Sequence, residues 1–564
     1  MNFLIPLSRK FYFPCLLVVS GLLLIGCANT GPEEEPAERP LIQTAPSAQA
    51  AENLRLLTET AVPVRDLVDL TQRYKTGGIP IERTIQRPPE TVGDVVLFWV
   101  SDGDADASVQ RPMVLVYQSD QLNMWVEEGA DIDEVALAEA ASVLEGEIFP
   151  TSRTFFGEEW RPGVDGDPRI NIVHAETLGS SVAGYFSASN SYPAVVNSFS
   201  NERETFFISL ENAEIGGEAY YEVITHEFQH MIHWNQDRNE SSWLNEGLSE
   251  LAVTVNEYEQ SYHIPNFLAS TDNPLSYFMQ DSVDYGAAAL FATYFYDRFG
   301  SEPTKQLVRA SENSVRSVQA VLQEAAPEIT FDALFADWVV ANYVNGHGRS
   351  RSIMPPYTYT SITFPAEIEP YEAAAGHEAL TSVNQYGTDY IRLAGGRPYT
   401  VAFEGSQQTR LLDTDPYSGD YFWTTLPGDS SNMHLTRAFD LSAAETPTAT
   451  LTFWSWYDIE LGWDYVYIAV STDDGMSWEQ LETIATSEAN PHGNNLGVGL
   501  TGTSGSSDPP EWRPQTADLS PYIPAGEILL RFEYVTDDAI YEYRRALELD
   551  PRQSSFHFDL GCVY

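Results

Sequence analysis

The sequence predicts an α+β protein in which a mixed sheet comes first, a helical half follows, and an all-β region completes the chain. Three patterns support this class: alternating apolar strands before residue 210, apolar residues at three- and four-residue spacing from residue 285 to about 344, and short strands separated by turns thereafter. At 564 residues the chain is too long for one core of ordinary size, so several domains are expected.

The composition is strongly acidic. The chain holds 82 acidic and 30 basic residues, for a formal net charge of -52, and 43% of its residues are hydrophobic. That hydrophobic content supports packed domains, while the charge repels polyanions and argues against a nucleic-acid partner. The composition does not indicate an oligomeric state.

The first 27 residues have the layout of a secretory signal. Arg9 and Lys10 precede an apolar stretch from Phe11 to Ile25, which is shorter than the roughly 18 residues that a spanning helix needs. The stretch ends in "LIGC", which resembles a bacterial lipobox and predicts acylation of Cys27. We therefore expect an exported lipoprotein held in the outer leaflet of a bacterial membrane. The alternative is an ordinary signal peptide with a chance cysteine.

The remaining chain divides by composition into further segments. Residues 28–52 are rich in Pro, Glu and Ala and predict an extended tether. Residues 53–128 predict a small α/β region, for which a removable pro-segment is one interpretation. A larger domain at 129–350, a small β linker at 351–410 and a β-sandwich of jelly-roll type at 411–538 follow.

The stretch "HEFQH" carries the main chemical signal. On a helix, His226 and His230 are four residues apart and project from one face, with Glu227 beside them. Zinc binds imidazole nitrogens, and a catalytic zinc site needs three protein ligands and an open position. The pattern therefore predicts two ligands for one zinc ion and requires a third.

The third ligand is expected in "NEGLSE". Fifteen residues separate His230 from Glu246, which is enough to end one helix, reverse the chain and begin another. Glu246 can then face the two histidines, and Glu250, four residues later, is placed to accept the outer N–H of a ligand histidine. His233 is a second candidate for the third ligand, because it lies on the same face seven residues after His226.

These motifs resemble those of known metallopeptidases. "HEFQH" with "NEGLSE" resembles the gluzincins, and "HEFQHMIHW" with "WLNEGLSELA" resembles the hyicolysin-type neutral metalloproteases. Further along, "WYDIELGWDYVYIAVSTDDGMSW" resembles the β-sandwich of the immune inhibitor A-like metalloproteases. The resemblance covers about residues 90 to 540. It implies a zincin-like catalytic domain with His226, His230 and Glu246 as zinc ligands and Glu227 as general base.

The resemblance also implies a Tyr or His that stabilises the oxyanion. Tyr285 is the candidate, with Tyr294, Tyr296 and His377 as alternatives, and Tyr285 is equally compatible with a role in packing. A substrate peptide could pair with the strand "ETFFISLEN" if it lies at the sheet edge, or that strand could lie inside the sheet.

Two other segments carry weaker signals. "DGDAD" at 102–106 begins like a calcium loop, but Ala107 and Met113 stand where the glycine and the bidentate acid are needed, so calcium is not supported. Residues 539–564 resemble the end of one tetratricopeptide repeat and the start of the next, which predicts a helical tail from a truncated or fused reading frame, or one that pairs with a partner.

The sequence thus predicts an exported, lipid-anchored zinc endopeptidase that acts on protein or peptide substrates. A gluzincin aminopeptidase is one alternative, although the chain lacks the glycine-rich signature expected of such an exopeptidase. A surface adhesin with an inert metal site is another. Cleavage of a protein substrate, lost with a chelator or with Glu227→Gln, separates the enzyme from the adhesin.

Overall fold

The computed structural model describes residues 48–258, 261–346, 356–364, 366–374, 381–394, 400–405, 412, 414–444, 446–506, 509–537 and 555–559. The chain divides into two compact units, residues 1–54 and 55–564. In the first unit, only the start of helix α1 is described, so the predicted signal peptide and Cys27 lie outside the described residues. Within the described ranges, no helix is both long enough and apolar enough to cross a bilayer.

Helices and strands are interspersed in the chain up to α5. After α5, the remaining described α-helices come first and the remaining described strands follow them. The helices are α1 (Ala48–Glu59), α2 (Leu67–Tyr74), α3 (Glu134–Val143), α4 (Phe149–Phe156), α5 (Glu218–Gln236), α6 (Ser242–Val255), α7 (Ile264–Ala269), α8 (Ser282–Phe299), α9 (Ser301–Leu307), α10 (Val315–Ala325) and α11 (Phe331–Gly346). The strands are β1 (Val95–Asp102), β2 (Ala107–Gln118), β3 (Leu122–Glu127), β4 (Ile170–Ala175), β5 (Gly184–Phe186), β6 (Thr205–Ser209), β7 (Tyr371–Ala374), β8 (Ile391–Ala394), β9 (Trp423–Thr424), β10 (Asn432–Asp440), β11 (Thr450–Asp458), β12 (Tyr465–Ser471), β13 (Glu479–Gln480), β14 (Arg513–Asp518), β15 (Glu527–Val535) and β16 (Ser555–Asp559).

A mixed six-stranded sheet organises the first half, with the order β1-β2-β3-β4-β6-β5. Strands β3, β4 and β6 are parallel, and β5 pairs antiparallel with β6 through Gly184↔Ile208. The stretch "ETFFISLEN" is therefore an inner strand, and β5 forms the edge. Because β3 and β4 are paired neighbours, the sheet runs across the predicted boundary at residues 128 and 129.

The helices pack on this sheet through one large core. The apolar side of α5 contributes Ile224, Phe228 and Ile232, all fully buried, and α6 adds Leu244 and Leu248. Helices α8 to α11 occupy the helical half predicted for residues 285 to about 344, and this prediction is confirmed. Helix α5 packs on strands β5 and β6 of the sheet, and α6 packs between α5 and α8.

The β-rich region, from β9 to β16, contains two four-stranded sheets, β10-β15-β12-β13 and β14-β11-β16-β9. Leu451 and Phe453 from one sheet and Val466 and Ile468 from the other are buried in one shared core. An α+β chain with a β-rich C-terminal part is therefore confirmed. Within the small β linker predicted for residues 351–410, the described residues 400–405 are irregular, although the pattern of "PYTVAFEG" at 398–405 predicts a strand.

The tail predicted to be helical lies mostly outside the described residues. Its described part, Ser555–Asp559, is strand β16, which pairs antiparallel with β11 and β9. The sequence "SFHFD" alternates polar and aromatic residues with a period of two, which suits a strand better than a helix. This part of the tail therefore differs from the tetratricopeptide-like expectation.

Gly247 allows α6 and α8 to approach closely. A Cβ atom at Gly247 would lie 2.8 Å from the backbone oxygen of Ala288 on α8. We expect Gly247→Ala to lower the free energy of unfolding by about 1–3 kcal/mol, because backbone atoms must move to accept the methyl group. Urea denaturation followed by tryptophan fluorescence measures the change.

Gly146→Ala is the control, because Gly146 lies in the π-helical turn Leu144–Ile148 that joins α3 to α4, is exposed, and has open space within 4 Å of the position that a Cβ atom would take. There the alanine should leave stability unchanged or raise it by about 0.5–1 kcal/mol. Equal behaviour of the two variants would contradict the close α6–α8 contact.

Candidate metal centre

Helices α5 and α6 together position the predicted zinc ligands. His226 and His230 are one turn apart on α5, and the polar turn at residues 237–241 returns the chain so that α6 lies beside α5. Glu246 is in the second turn of α6. Its neighbours Leu244 and Leu248 are buried in the core, so the carboxylate is held on the side of α6 that faces the two imidazoles.

The three side chains converge on one point. His226 Nε2 lies 3.0 Å from His230 Nε2 and 3.1 Å from Glu246 Oε2, and His230 Nε2 lies 3.4 Å from that same oxygen. A tetrahedral zinc ion with bonds of about 2.0–2.1 Å holds its ligand atoms about 3.3 Å apart. The spacing and the donor set of two nitrogens and one carboxylate oxygen therefore fit a zinc ion.

The electrostatics of the triad favour a bound cation. Burial disfavours charge on His226, but the hydrogen bond and charge of Glu246 outweigh it and raise the pKa of His226 to about 9. Burial likewise opposes charge on Glu246, yet the nearby His230 and His226 lower the pKa of Glu246 to about 2. A buried carboxylate that stays ionised needs a positive partner. Here that partner is the proton between His226 and Glu246, and a metal ion can take its place.

Further polar groups hold the outer nitrogens of the two imidazoles. Asn245 Oδ1 lies 2.9 Å from His230 Nδ1, and Ser249 Oγ lies 3.0 Å from the same nitrogen. Glu250 Oε1 is 3.6 Å from His226 Nδ1, an ion-pair contact that is longer than a hydrogen bond. Sequence reasoning named Glu250 for such a contact but missed Asn245, whose only signal was its place directly before Glu246.

His233 does not join the triad. Its side chain is fully buried, and Nδ1 lies 3.2 Å from the same Asn245 oxygen that contacts His230. The Asn245 oxygen can only accept hydrogen bonds, so it bonds to both rings when Nδ1 of His230 and Nδ1 of His233 each carry a hydrogen. That arrangement leaves His230 Nε2 with its lone pair directed toward the triad.

Glu227 lies between the triad and the sheet edge. Its Oε2 accepts a hydrogen bond of 2.7 Å from the backbone N–H of Phe186 on edge strand β5. Burial raises the pKa of Glu227, and the charges of His226 and His230 partly oppose that shift. A buried carboxylate with a raised pKa, next to a metal-binding triad, has the properties of a proton-transferring group.

A histidine outside both motifs also lies beside the triad. Burial lowers the pKa of His263 to about 4, and the charges of both His226 and Glu246 act on it. Its Nδ1 lies 2.7 Å from Ser282 Oγ, which accepts a hydrogen bond from Asn266. The Ser282 hydroxyl can donate its hydrogen to Nδ1, and in that arrangement the neutral His263 ring carries its proton on Nε2.

The predicted oxyanion residue Tyr285 is buried, and its ring stacks on His263 with 5.1 Å between centroids. Its alternatives are elsewhere: Tyr294 donates to the Pro356 carbonyl, the ring of Tyr296 packs on Phe155, and His377 lies outside the described residues. Sequence reasoning missed His263, which no local motif marks. Across the described ranges, His226, His230 and Glu246 form the one group of three acidic, His or Cys residues with metal-binding spacing.

Two comparisons with known proteins bear on the family that the chain resembles. Residues 398–544 match the family model described as "Immune inhibitor A-like, MAM domain". The chain is also 26% identical over 157 residues to the neutral metalloprotease ShpI of Staphylococcus hyicus. The chain resembles the immune inhibitor A-like metalloproteases. The resemblance to the immune inhibitor A-like metalloproteases that the sequence indicated is thereby confirmed.

The similarity to ShpI covers part of each protein. It spans 26% of this chain and 34% of the relative. The matched MAM-domain segment includes the whole of the β-rich region through β15, so the immune inhibitor A-like part of the chain is the part that follows the helical half.

Proposed function

We propose that this protein is a zinc-dependent metalloendopeptidase with a zincin-like catalytic domain and a β-sandwich of immune inhibitor A type. The observation that carries the proposal is the convergence of His226, His230 and Glu246 at 3.0–3.4 Å, with Glu227 adjacent. The similarity to a neutral metalloprotease supports the same class of reaction. His226, His230 and Glu246 are the proposed ligands.

A zinc ion in this site would polarise the scissile carbonyl and make a water molecule more acidic. Glu227 takes the proton of the attacking water and then delivers it to the leaving amine. Its raised pKa suits both transfers, because a carboxyl with a pKa nearer to neutrality can accept a proton and release it again. The Phe186 N–H fixes one oxygen of Glu227, so its position is set by the sheet edge.

The developing negative charge on the substrate needs a further donor. Tyr285 remains the residue proposed from the sequence, and the His263 ring that it stacks on is a second candidate, because the charges of His226 and Glu246 act on His263. A neutral His263 with its proton on Nε2 can donate a hydrogen bond without adding charge. The pair is proposed to act together, with Tyr285 packing His263 or donating directly.

The edge strand β5 supports the choice of an extended peptide as substrate. Its outer side has no strand neighbour among the described residues, and an extended chain can pair with such an edge. An aminopeptidase, the first alternative, would remove residues only from the N-terminus. Mass spectrometry of the products of a denatured protein distinguishes internal cleavage from stepwise N-terminal trimming.

Export and lipid anchoring through Cys27 remain part of the proposal. Globomycin treatment, which blocks removal of lipoprotein signals, should cause the precursor to accumulate if Cys27 is acylated. Processing that continues unchanged would favour an ordinary secretory signal.

Metal removal tests the proposal as a whole. We expect the purified full chain to hold about one zinc ion per molecule, and a chelator to abolish cleavage of an unstructured protein and lower the thermal midpoint, because the metal binds only the folded state. Stoichiometric zinc should restore both properties. Tight substrate binding without cleavage by the zinc-loaded protein would instead favour the adhesin.

A further inference from the structure

The helix that carries Glu246 is capped by a residue from the β-rich region. The residue before α6, Ser241, makes no side-chain hydrogen bond to the helix. Instead, the backbone N–H and the hydroxyl of Ser242 both donate to Asp429 Oδ2, at 3.0 and 2.7 Å. Asp429 is 187 positions away in the sequence and lies between β9 and β10.

Asp429 accepts the first N–H group of α6, that of Ser242, while the Ser241 carbonyl accepts those of Leu244 and Asn245. A carboxylate at a helix N-terminus accepts unpaired backbone N–H groups and interacts favourably with the helix dipole. Four residues after Ser242, the same helix presents Glu246, and the next turn presents Ser249 and Glu250. A shift of the first turn of α6 would therefore move a metal ligand and two groups that contact the histidines.

The turn that carries Asp429 is held in a constrained conformation. Ser430 has a φ of +43°, in the left-handed region that residues other than glycine rarely adopt. Its carbonyl accepts the N–H of Arg65 at 2.8 Å, and its N–H donates to the Asp537 carbonyl. Such backbone strain persists where surrounding contacts over-determine it, and here it directs the Asp429 side chain at α6.

A second contact holds the β-rich region against the preceding part of the chain, from α2 to α11, which carries the proposed catalytic site and is called the catalytic half below. Glu533 on β15 is fully buried and accepts hydrogen bonds from Arg73 at 3.1 Å and from the Tyr74 hydroxyl, both at the end of α2. Asn432 on β10 donates to the same carboxylate at 3.0 Å. The β-rich region that carries Asp429 is therefore held against α2 by the buried Glu533 carboxylate.

We propose that Asp429 is a positioning residue for the metal centre, so that the β-rich region helps to set the geometry of the catalytic site. The inference rests on the proposed function, because the helix that Asp429 holds carries a proposed zinc ligand. It gives the MAM-like segment a role in metal binding by the same chain, in addition to any ligand of its own. Asp429 acts through α6 and does not contact the triad.

The β-rich region offers a matched control. Asp440 Oδ1 accepts the N–H of Ser442 at 2.9 Å and also its hydroxyl, which repeats the Asp429–Ser242 arrangement at an exposed site outside the catalytic half. Asp429→Ala and Asp440→Ala therefore remove the same kind of contact. They differ in burial, since Asp429 is less exposed than Asp440, and in whether the capped segment carries the proposed metal ligand.

The experiment measures zinc affinity by competition with a chromophoric chelator, using the full chain. We expect Asp429→Ala to weaken zinc binding by about 10- to 100-fold, the size of effect seen when groups that orient ligands are removed. The value of kcat should fall while KM changes little, and Asp440→Ala should match wild type within about twofold. Asp429→Asn keeps an acceptor oxygen and should recover most of the affinity.

Amide hydrogen exchange in the first turn of α6 provides a readout that needs no metal. It should accelerate in Asp429→Ala and stay unchanged in Asp440→Ala. If Asp429→Ala fails to fold, Ser242→Ala removes only the hydroxyl contact and should give a smaller loss of affinity in the same direction.

The outcomes separate the two proposals. Wild-type protein that binds no zinc overturns the proposed function, and exchange in α6 still tests the cap. Wild-type protein that binds zinc, together with unchanged affinity in Asp429→Ala, overturns the positioning role alone. An equal loss in both alanine variants would also overturn it, because the effect would then be one of general stability.

Discussion

Glu227→Gln is expected to lower kcat/KM for peptide cleavage by about 10²- to 10⁴-fold, the usual contribution of a positioned general base. The glutamine keeps the size of the side chain and an oxygen that can accept the Phe186 N–H, but it cannot take up a proton. Zinc should remain bound, because His226, His230 and Glu246 are unchanged. Initial rates on a fluorogenic peptide and metal analysis of the same sample measure the two effects.

Glu204→Gln provides the matched control. Glu204 is also a buried glutamate that accepts a backbone N–H, from Val164 at 3.1 Å, and burial raises the pKa of its carboxyl to about 8. Since that carboxyl is largely protonated at neutral pH, glutamine replaces it with little change in charge, and activity should stay at the wild-type level. If Glu227→Gln kept full activity with zinc bound, the base would be a different group.

If the Glu227→Gln variant lost its zinc, its loss of activity would not identify Glu227 as the base. The loss of zinc would make Glu227 part of the structure that holds the metal rather than the group that transfers the proton. The thermal midpoint distinguishes this case, because loss of the metal should lower it and loss of the base alone should not.

The local part of the site was readable from the sequence. His226 and His230 follow from the helical repeat alone, and Glu246 follows because a short polar turn can only return the chain beside the helix it has just left. These residues are separated by few positions, so the geometry of secondary structure brings them together. Their roles as ligands remain a proposal.

The tertiary part of the site was not readable in this way. His263 directly precedes α7, which packs beside α8, and it comes close enough for the charges of His226 and Glu246 to act on it. Asp429 reaches α6 only when the β-rich region docks on the part of the chain that holds α5 and α6. Neither residue lies in a periodic pattern that distinguishes it from other polar residues. The inner position of β6 was equally open, since a fully buried strand and an edge strand can share one apolar run.

Glu246→Gln preserves the size of the side chain, and among the proposed ligands it is the substitution that we expect to weaken zinc binding most. The carboxylate is the one anionic donor in the triad, and its charge would balance that of a buried zinc ion. We expect zinc affinity to fall by more than about 100-fold, beyond the range for groups that only orient ligands. Activity at limiting zinc should fall in parallel and recover partly at high zinc, which separates weak binding from loss of chemistry.

Glu250→Gln is the control that distinguishes a metal ligand from a group that only orients a ligand. Glu250 is on the same helix one turn later, is partly buried, and lies 3.6 Å from His226 Nδ1 without reaching the point where the three ligand atoms meet. Its substitution should cost zinc affinity about 10- to 100-fold at most. If the two variants lost affinity equally, Glu246 would be acting through the histidines as Glu250 does. The metal would then be held by a different set of donors.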